Sequence, residues 1–386
     1  MSEADQVRIS RVKESTWGVT PSGSLTTLRL TTDSLKKDTG TTESPEIGSR
    51  RTQDVARTST GASGGFNSIL SFGNLDDLFE AVLFASATYL PAEEVTSDNT
   101  VSAVASDNSF NATGEYNNYS VGDWLQSYGF TDAANNGFFK VLTKTNDKIT
   151  VSGGTLVDES ASVGANNRLG GQITDAGTRT SFSIEKEFQD LTNTFQAVTG
   201  WVPGEMTISG EAGGDGMVGV SFNGIGKDVT LPTSTIGDGY TAAPTNRLMN
   251  VIDHTKSVLE AGAASKMNSF SFTINNTLRG IQNVGVLGND DLLAGALSIS
   301  GTITQHFLNT TILTKYVDFT DSSLAFIFNG NGGAYVFDFP AVNYTDGEVF
   351  ATGRNADVIA SLPFSSKEEG TEAKQVRIVR FTGTQA

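Results

Sequence analysis

Cysteine is absent from the 386 residues, which excludes disulfides, thiol catalysis and cysteine-ligated metal. Only two histidines occur, His254 and His306, too few for a multi-histidine metal site. Cations are outnumbered: 26 Lys+Arg stand against 43 Asp+Glu, a formal charge of −17. Such a chain is a poor counterion for nucleic acid and for anionic membranes. Charged residues make up 18%, below the usual quarter or so. The longest apolar stretch, around residues 78–87, is half of what a bilayer crossing needs. Met1-Ser2-Glu3-Ala4-Asp5 has no basic segment leading into an apolar run, so no secretory leader is expected. The expectation is a soluble protein made in the cytoplasm.

What the sequence does hold is glycine, with 42 residues, and abundant Ser, Thr and Asn. This is the composition of an all-β extracellular or viral surface protein. Apolar residues alternate with polar ones at Phe182 and Ile184, at Met206 and Ile208, and at Val218, Val220 and Phe222. The alternation returns at Phe270, Phe272 and Ile274, at Leu324, Phe326 and Phe328, and at Tyr335, Phe337 and Phe339. Each run reads as a strand with one buried and one exposed face.

One helix is clear. Asn74 is a candidate N-cap, Asp76 and Asp77 suit the positive end of the dipole, and Leu75, Leu78, Phe79, Val82 and Leu83 form an apolar stripe. A weaker second helix is predicted from an Asn309 cap, with Ile312, Leu313, Tyr316 and Val317 inward. The two helices expose an internal repeat of strands, polar loop, helix and strands. In that repeat the strand near Leu28 corresponds to Phe270–Ile274.

Four segments follow: residues 1–92 with 172–230 as a first domain, 93–171 as an inserted β domain, 231–261 as a linker, and 262–386 as a second domain ending in an arm. The flanks of the insert, 93–108 and 160–171, are linker-like. The linker is expected to run over the surface. Val7, Ile9 and Val12, and Val376, Ile378, Val379 and Phe381, read as strand-like arms outside either core, of a kind often paired with another chain.

Catalytic signals are weak. The glycine-rich stretches at 210–216 and 330–333 lack the phosphate-loop pattern and read as hairpin turns, as does Gly224-Ile225-Gly226. No serine stands in a nucleophile elbow. Neighbouring carboxylates such as Asp76-Asp77 do not converge on one substrate. Asp290-Asp291 could take calcium, but EF-hand spacing is absent. No catalytic residue, cofactor or metal ligand is assigned, and no enzyme activity is expected. Arg50, Arg51 and Arg57 share a loop with Glu43 and Glu46, which suits either a solvated loop or an opposite-charge contact with a neighbouring subunit.

Three features together resemble the tail tube (major tail) proteins of long, non-contractile-tailed bacteriophages. One is Trp17-Gly18-Val19-Thr20-Pro21 followed by a Thr/Ser-rich strand and the polar loop 34–56. Another is the strand–helix–strands unit around residues 74–84. The third is Ser269-Phe270-Ser271-Phe272-Thr273-Ile274-Asn275-Asn276 with Tyr335-Val336-Phe337-Asp338-Phe339-Pro340. The insert, with Val121-Gly122-Asp123-Trp124-Leu125, is similar to decoration domains carried outside such tubes.

The resemblance implies a mainly β fold of two tandem tail-tube sandwich or barrel domains, each with one short helix, plus a small inserted β domain. It implies a structural virion protein whose rings stack into a hollow tube with an acidic lumen that conducts DNA without binding it. The partners would be further copies of the chain and other tail proteins, with no membrane insertion. The location would be the virion tail, after assembly in the host cytoplasm. Two domains per chain favour three chains per pseudo-six-fold ring, with six as the alternative. The loops 34–56 and 277–294 resemble ring-stacking hairpins, which nominates Glu43, Glu46, Arg50, Arg51, Arg57, Asn289, Asp290 and Asp291. The competing reading is a surface or secreted carbohydrate-binding β protein, with Trp124 and Tyr128 stacking on sugars from the insert's surface.

Overall fold

The computed structural model describes residues 3–47, 50–85, 89–90, 92–351, 353–354 and 357–383. The strands that position the site are β1 (Val7–Lys13), β2 (Thr32–Asp33), β3 (Lys36–Glu43) and β4 (Val55–Ile69), leading into helix α1 (Asp76–Val82). Next come β5 (Phe182–Phe188), β6 (Phe195–Glu211), β7 (Gly219–Gly226) and β8 (Thr255–Glu260). Strands β9 (Met267–Asn275) and β10 (Ser298–His306) lead into helix α2 (Thr311–Val317). The chain closes with β11 (Ser322–Gly330), β12 (Gly333–Tyr344), β13 (Glu348–Ala351), β14 (Val358–Lys367) and β15 (Arg377–Thr382).

The pairing order β1–β5–β6–β7–β4–β3 recurs as β8–β11–β12–β14–β10–β9. Strand β6 then pairs antiparallel with β9, from Glu205↔Asn275 to Glu211↔Ser269, and fuses the two series into one network. The pairing makes β3, with β2, the counterpart of β9. The strand near Leu28 is therefore not the match, because Ser24–Thr27 pairs with β1 instead.

The strands form two layers around one aromatic core. On β9, Phe270, Phe272 and Ile274 point in while Ser269, Ser271 and Thr273 stay half-exposed. The ring of Phe272 meets Phe326 of β11 at 5.0 Å and Phe337 of β12 at 5.6 Å. Helix α1 closes the first series, with Leu75, Leu78, Phe79, Val82 and Leu83 all buried. Phe79 packs edge-on against Tyr335 and Phe337 at 5.6 and 5.7 Å, contacts of about 0.5–1.5 kcal/mol each beyond area burial. The Asn74 cap does not form: Leu75 caps α1 without a side-chain bond, and the first-turn acids are held by cations. Asp77 takes a forked bond from Arg11, and Asp76 pairs with Arg380 at 2.8 Å. Asn309 does serve α2, accepting the Thr311 N–H at 2.9 Å. Gly64 and Gly65 are required where the link between β2 and β3, and β7, press on β4. A Cβ on Gly64, whose φ is +99°, would lie 2.2 Å from the Ser34 carbonyl oxygen, and one on Gly65 1.7 Å from that of Phe222.

A separate sheet of seven strands runs between Glu94 and Leu169 over its own core, including Phe110, Tyr116, Leu125, Phe139 and Ile149. Both of its flanks are strands rather than linkers: Glu94–Val95 and Ser102–Val104 on one side, Asn166–Leu169 on the other. Their asparagines hold partners inside; Asn167 Nδ2 donates to the Tyr116 hydroxyl at 2.9 Å.

Other sequence expectations need correction. The terminal segments are not free arms. Strand β1 pairs with β5, and β15 lies between Gly171–Thr174 and β12. Val376 and Ile378 face the main core while Val379 and Phe381 face the insert, so apolar residues crowd both sides of β15. Segment 231–261 is not all surface. Gly239–Thr241 pairs with Ser24–Thr27, β8 pairs with β11, and the buried Glu185 carboxylate accepts the Ile236 N–H and the Tyr240 hydroxyl, each at 2.6 Å. Loop 34–56 is mostly the β3–β4 hairpin, and 277–294 contains a small hairpin, Arg279–Ile281 with Asp291–Leu293. Gly224-Ile225-Gly226 belongs to β7 rather than to a turn.

Candidate polymerisation surfaces

One layer carries a continuous row of small polar side chains. Following the register across seven strands, Thr32, Asn67, Ser221, Thr207, Thr273, Ser300 and Ser365 stand side by side. The alternation of each strand sends its apolar residues into the core and leaves these outside. Asn67 Nδ2 donates to Thr32 Oγ1 at 2.8 Å, and the Thr207 and Thr273 hydroxyls bond at 2.8 Å across the junction of the two series. A concave groove of about 710 Å³ lies over this face. Its walls include Ser209, Ser271, Thr302, Glu211 and Asp215, and no lysine or arginine. Glu205, in the next row, accepts Asn275 Nδ2 at 2.6 Å.

The insert lies on the other side of the body. Trp124 and Phe138 pack on Leu259, Ile327, Val336, Val379 and Phe381, the outer faces of β8, β11, β12 and β15. Beside them Lys140 and Arg377 share Asp338 and Glu372. The Lys140 contacts are 3.0 and 3.2 Å, those of Arg377 are 3.4 and 2.8 Å, and all four side chains are largely buried. Two cations against two carboxylates leave no uncompensated charge in that seam. Asp123 anchors the insert's edge by accepting the Ser120 N–H and Gln172 Nε2, and burial raises its carboxyl above the ordinary range despite those bonds. Trp124 is therefore not a surface residue: it is 1% exposed, because its ring fills the joint between insert and body. Tyr128 is half-buried.

The nominated loop residues divide. Glu43, Glu46, Arg50, Arg51 and Arg57 are all exposed on the β3–β4 hairpin, where Glu43 accepts the Thr52 hydroxyl at 3.0 Å. Asn289 is half-buried, packed over Gly280 with its amide beside Gly61 of β4, which brings the second hairpin against the first. Asp290 is exposed and accepts Asn283 Nδ2 at 2.7 Å. Asp291 turns away to Arg179 at 2.8 Å; the Leu292 N–H and the Arg179 guanidinium hold its carboxyl below the ordinary range. Each hairpin also presents a bare aliphatic that sequence reading missed, Ile47 at 103% and Val284 at 106% exposure. Nothing in their local pattern separates such residues from core positions.

Both histidines are tied into the fold. His254 Nδ1 accepts the Asn250 N–H at 3.1 Å, and His306 lies beside Asn268 and Asp357. Around α1, burial and the adjacent Asp76 push the Tyr335 phenol well above the tyrosine range, so it stays a donor to that carboxylate. Among the described residues, no helix is long and apolar enough to cross a membrane.

These features define a two-layer β body with a polar face bordered by acids, a second β unit docked on the opposite side, and exposed hairpins. The family model for phage tail tube protein matches residues 4–366. The chain belongs to the phage tail tube family, and it is a structural protein of the phage tail. No curated protein sequence matches it.

Proposed function

We propose that the chain polymerises into stacked rings that form the hollow tail tube and conduct phage DNA towards the host. The observation that carries this is the seven-strand row from Thr32 to Ser365, a face of hydroxyls and amides with acids nearby. Duplex DNA adheres through phosphate contacts to Lys and Arg, each adding close to one unit to the salt slope. A lumen lined by this face offers water-like hydrogen bonding, and the exposed Lys367 near Ser365 is already paired with Asp321 at 2.7 Å, so little is left to hold phosphate and DNA slides. The insert lies on the opposite face of the body, which suits an outer decoration.

The double pairing series supports two tube domains, residues 1–92 with 172–230 and residues 262–386, with β8 (Thr255–Glu260) added to the second because it opens that series. Three chains then complete a pseudo-six-fold ring. Stacking falls to the hairpins carrying Glu43, Glu46, Arg50, Arg51 and Arg57, and Asn289 and Asp290, with Ile47 and Val284 as apolar contacts. Other tail proteins cap the ends, assembly takes place in the host cytoplasm, and no enzymatic step is required. The sugar-binding reading loses its principal residue, since Trp124 is buried in the joint.

Negative-stain electron microscopy of the concentrated chain checks this directly. Hollow tubes or annuli with a central hole are expected. Solid filaments, or particles that never assemble even on a preformed tail-tip initiator, would sink the proposal.

A further inference from the structure

We infer that the exposed end of α2 forms one half of the seam between adjacent chains, and that the β2–β3–β4 edge of a second copy forms the other. The inference rests on the ring reading above and names the surfaces that close the ring.

Helices α1 and α2 have equal length, and each is followed by a phenylalanine in the left-handed region, Phe84 at φ 50° and Phe319 at φ 51°. Around both, the same two backbone bonds form. Phe84 N–H donates to Ala81 O at 3.2 Å and Ala85 N–H to Glu80 O at 2.9 Å; Phe319 N–H donates to Tyr316 O at 3.1 Å and Thr320 N–H to Lys315 O at 3.0 Å. A bulky side chain at positive φ is uncommon, so its recurrence at one place in both series marks equivalent positions.

Their surroundings differ. Phe84 is buried with Val202 and Leu292, against Leu278, and the Val82 carbonyl accepts Asn276 Nδ2 at 2.6 Å. Leu278, Leu292 and Asn276 all belong to the second series. Helix α1 is thus covered by the series that follows it. Among the described residues nothing covers the end of α2 in this way, and Leu308 is 78%, Val317 71% and Phe319 67% exposed. Sequence periodicity puts Val317 inward, but on α2 only Ile312 is buried, and no described residue covers Val317.

The strand edges agree. In the run β3–β4–β7–β6–β9–β10–β14–β13, β2 and β3 pair only with β4, and β13 only with β14, among the described residues. Two open edges of one sheet invite pairing between copies in a head-to-tail ring. The internal junction supplies the register. Ser209 pairs with Ser271 between the series; Glu348 holds the place of Ser209, and Thr32 that of Ser271. The same match puts Thr39 and Arg57 at the places of Leu278 and Leu292, which brings a guanidinium to the Phe319 ring. Charge is complementary as well: Asp318, Asp346 and Glu348 are exposed on the α2–β13 side, and Lys36 and Arg57 on the other.

A Thr32→Cys, Glu348→Cys double variant of the full chain tests the seam, since the chain has no other cysteine. In assembled rings or tubes, oxidation is expected to convert most of the protein to reductant-sensitive dimers and trimers, while each single variant stays monomeric. Phe319→Asp should leave the monomer's melting temperature within about 2 °C, because the residue is exposed, yet abolish assembly. If tubes form but the double variant does not cross-link and Phe319→Asp assembles normally, the seam is overturned and the ring stands. If the unmodified chain forms no ring under any condition, ring and seam fall together.

Discussion

Thr207 and Thr273 occupy the centre of the neutral face, with their hydroxyls 2.8 Å apart. In the proposed tube, a cation placed there would meet phosphate directly. Thr207→Lys with Thr273→Lys is expected to turn a tube that ignores duplex DNA into one that retains it at 50 mM salt, with about a threefold loss of affinity per phosphate contact on raising salt to 200 mM. Filter retention of tubes with labelled DNA measures it; retention equal to that of the unmodified tube would contradict the lumen assignment. The row itself was partly legible in sequence, since period-two alternation marks Phe270, Phe272 and Ile274 as inward and hence their neighbours as outward. That the outward residues of seven strands align was not legible, because register is a property of pairing. Asp291 is a second residue-scale case. Its carboxyl is held below the ordinary range by the Leu292 N–H first and Arg179 second, so these bonds contribute stability that is present above about pH 4 and lost as pH falls through the lowered native value. Asp291→Asn should lower the unfolding free energy slightly at pH 7, by under about 1 kcal/mol for so exposed a pair, and the difference should vanish near pH 2. Calorimetry at both pH values checks the sign.

Among the elements, α1 was the most legible, because its stripe is complete and every member is buried. Helix α2 was legible as a helix, but its Val317 was misplaced, since periodicity records that a face is apolar and not who covers it. Strands β1 and β15 were mistaken for arms for a related reason. A short apolar run carries no mark of whether its partner is its own chain, and β15 finds two partners far back in sequence, at Gly171–Thr174 and at β12. The insert was recognised by its own apolar residues, yet its joint with the body was not. Trp124 and Phe138 point away from the insert's own core, onto β11, β12 and β15. Trp124→Ala should therefore loosen docking rather than unfold the insert, at a cost of about 3–5 kcal/mol. Denaturant unfolding is expected to separate into two transitions, with the insert's own β signal persisting through the first. A single transition of unchanged midpoint would show that the joint contributes little.

At the scale of the whole molecule, the two pairing series, the polar inner face and the outer insert are consistent with a single geometry. The junction β6–β9 joins the two series strand to strand, and in the proposed ring it is the template for each junction between copies. An acidic chain with a formal charge of −17 resists collapse onto DNA, while the proposed contacts between copies, backbone pairing and apolar burial, are weakened less by net charge at physiological salt. The most direct measurement is a cryo-electron microscopy reconstruction of the assembled tube, resolved well enough to trace strands. The account predicts three chains per ring, Thr207, Thr273 and Ser300 bordering the central channel, and the 94–169 sheet on the outer rim. A channel bordered by the insert, or one lined by the opposite face of the body, would contradict it.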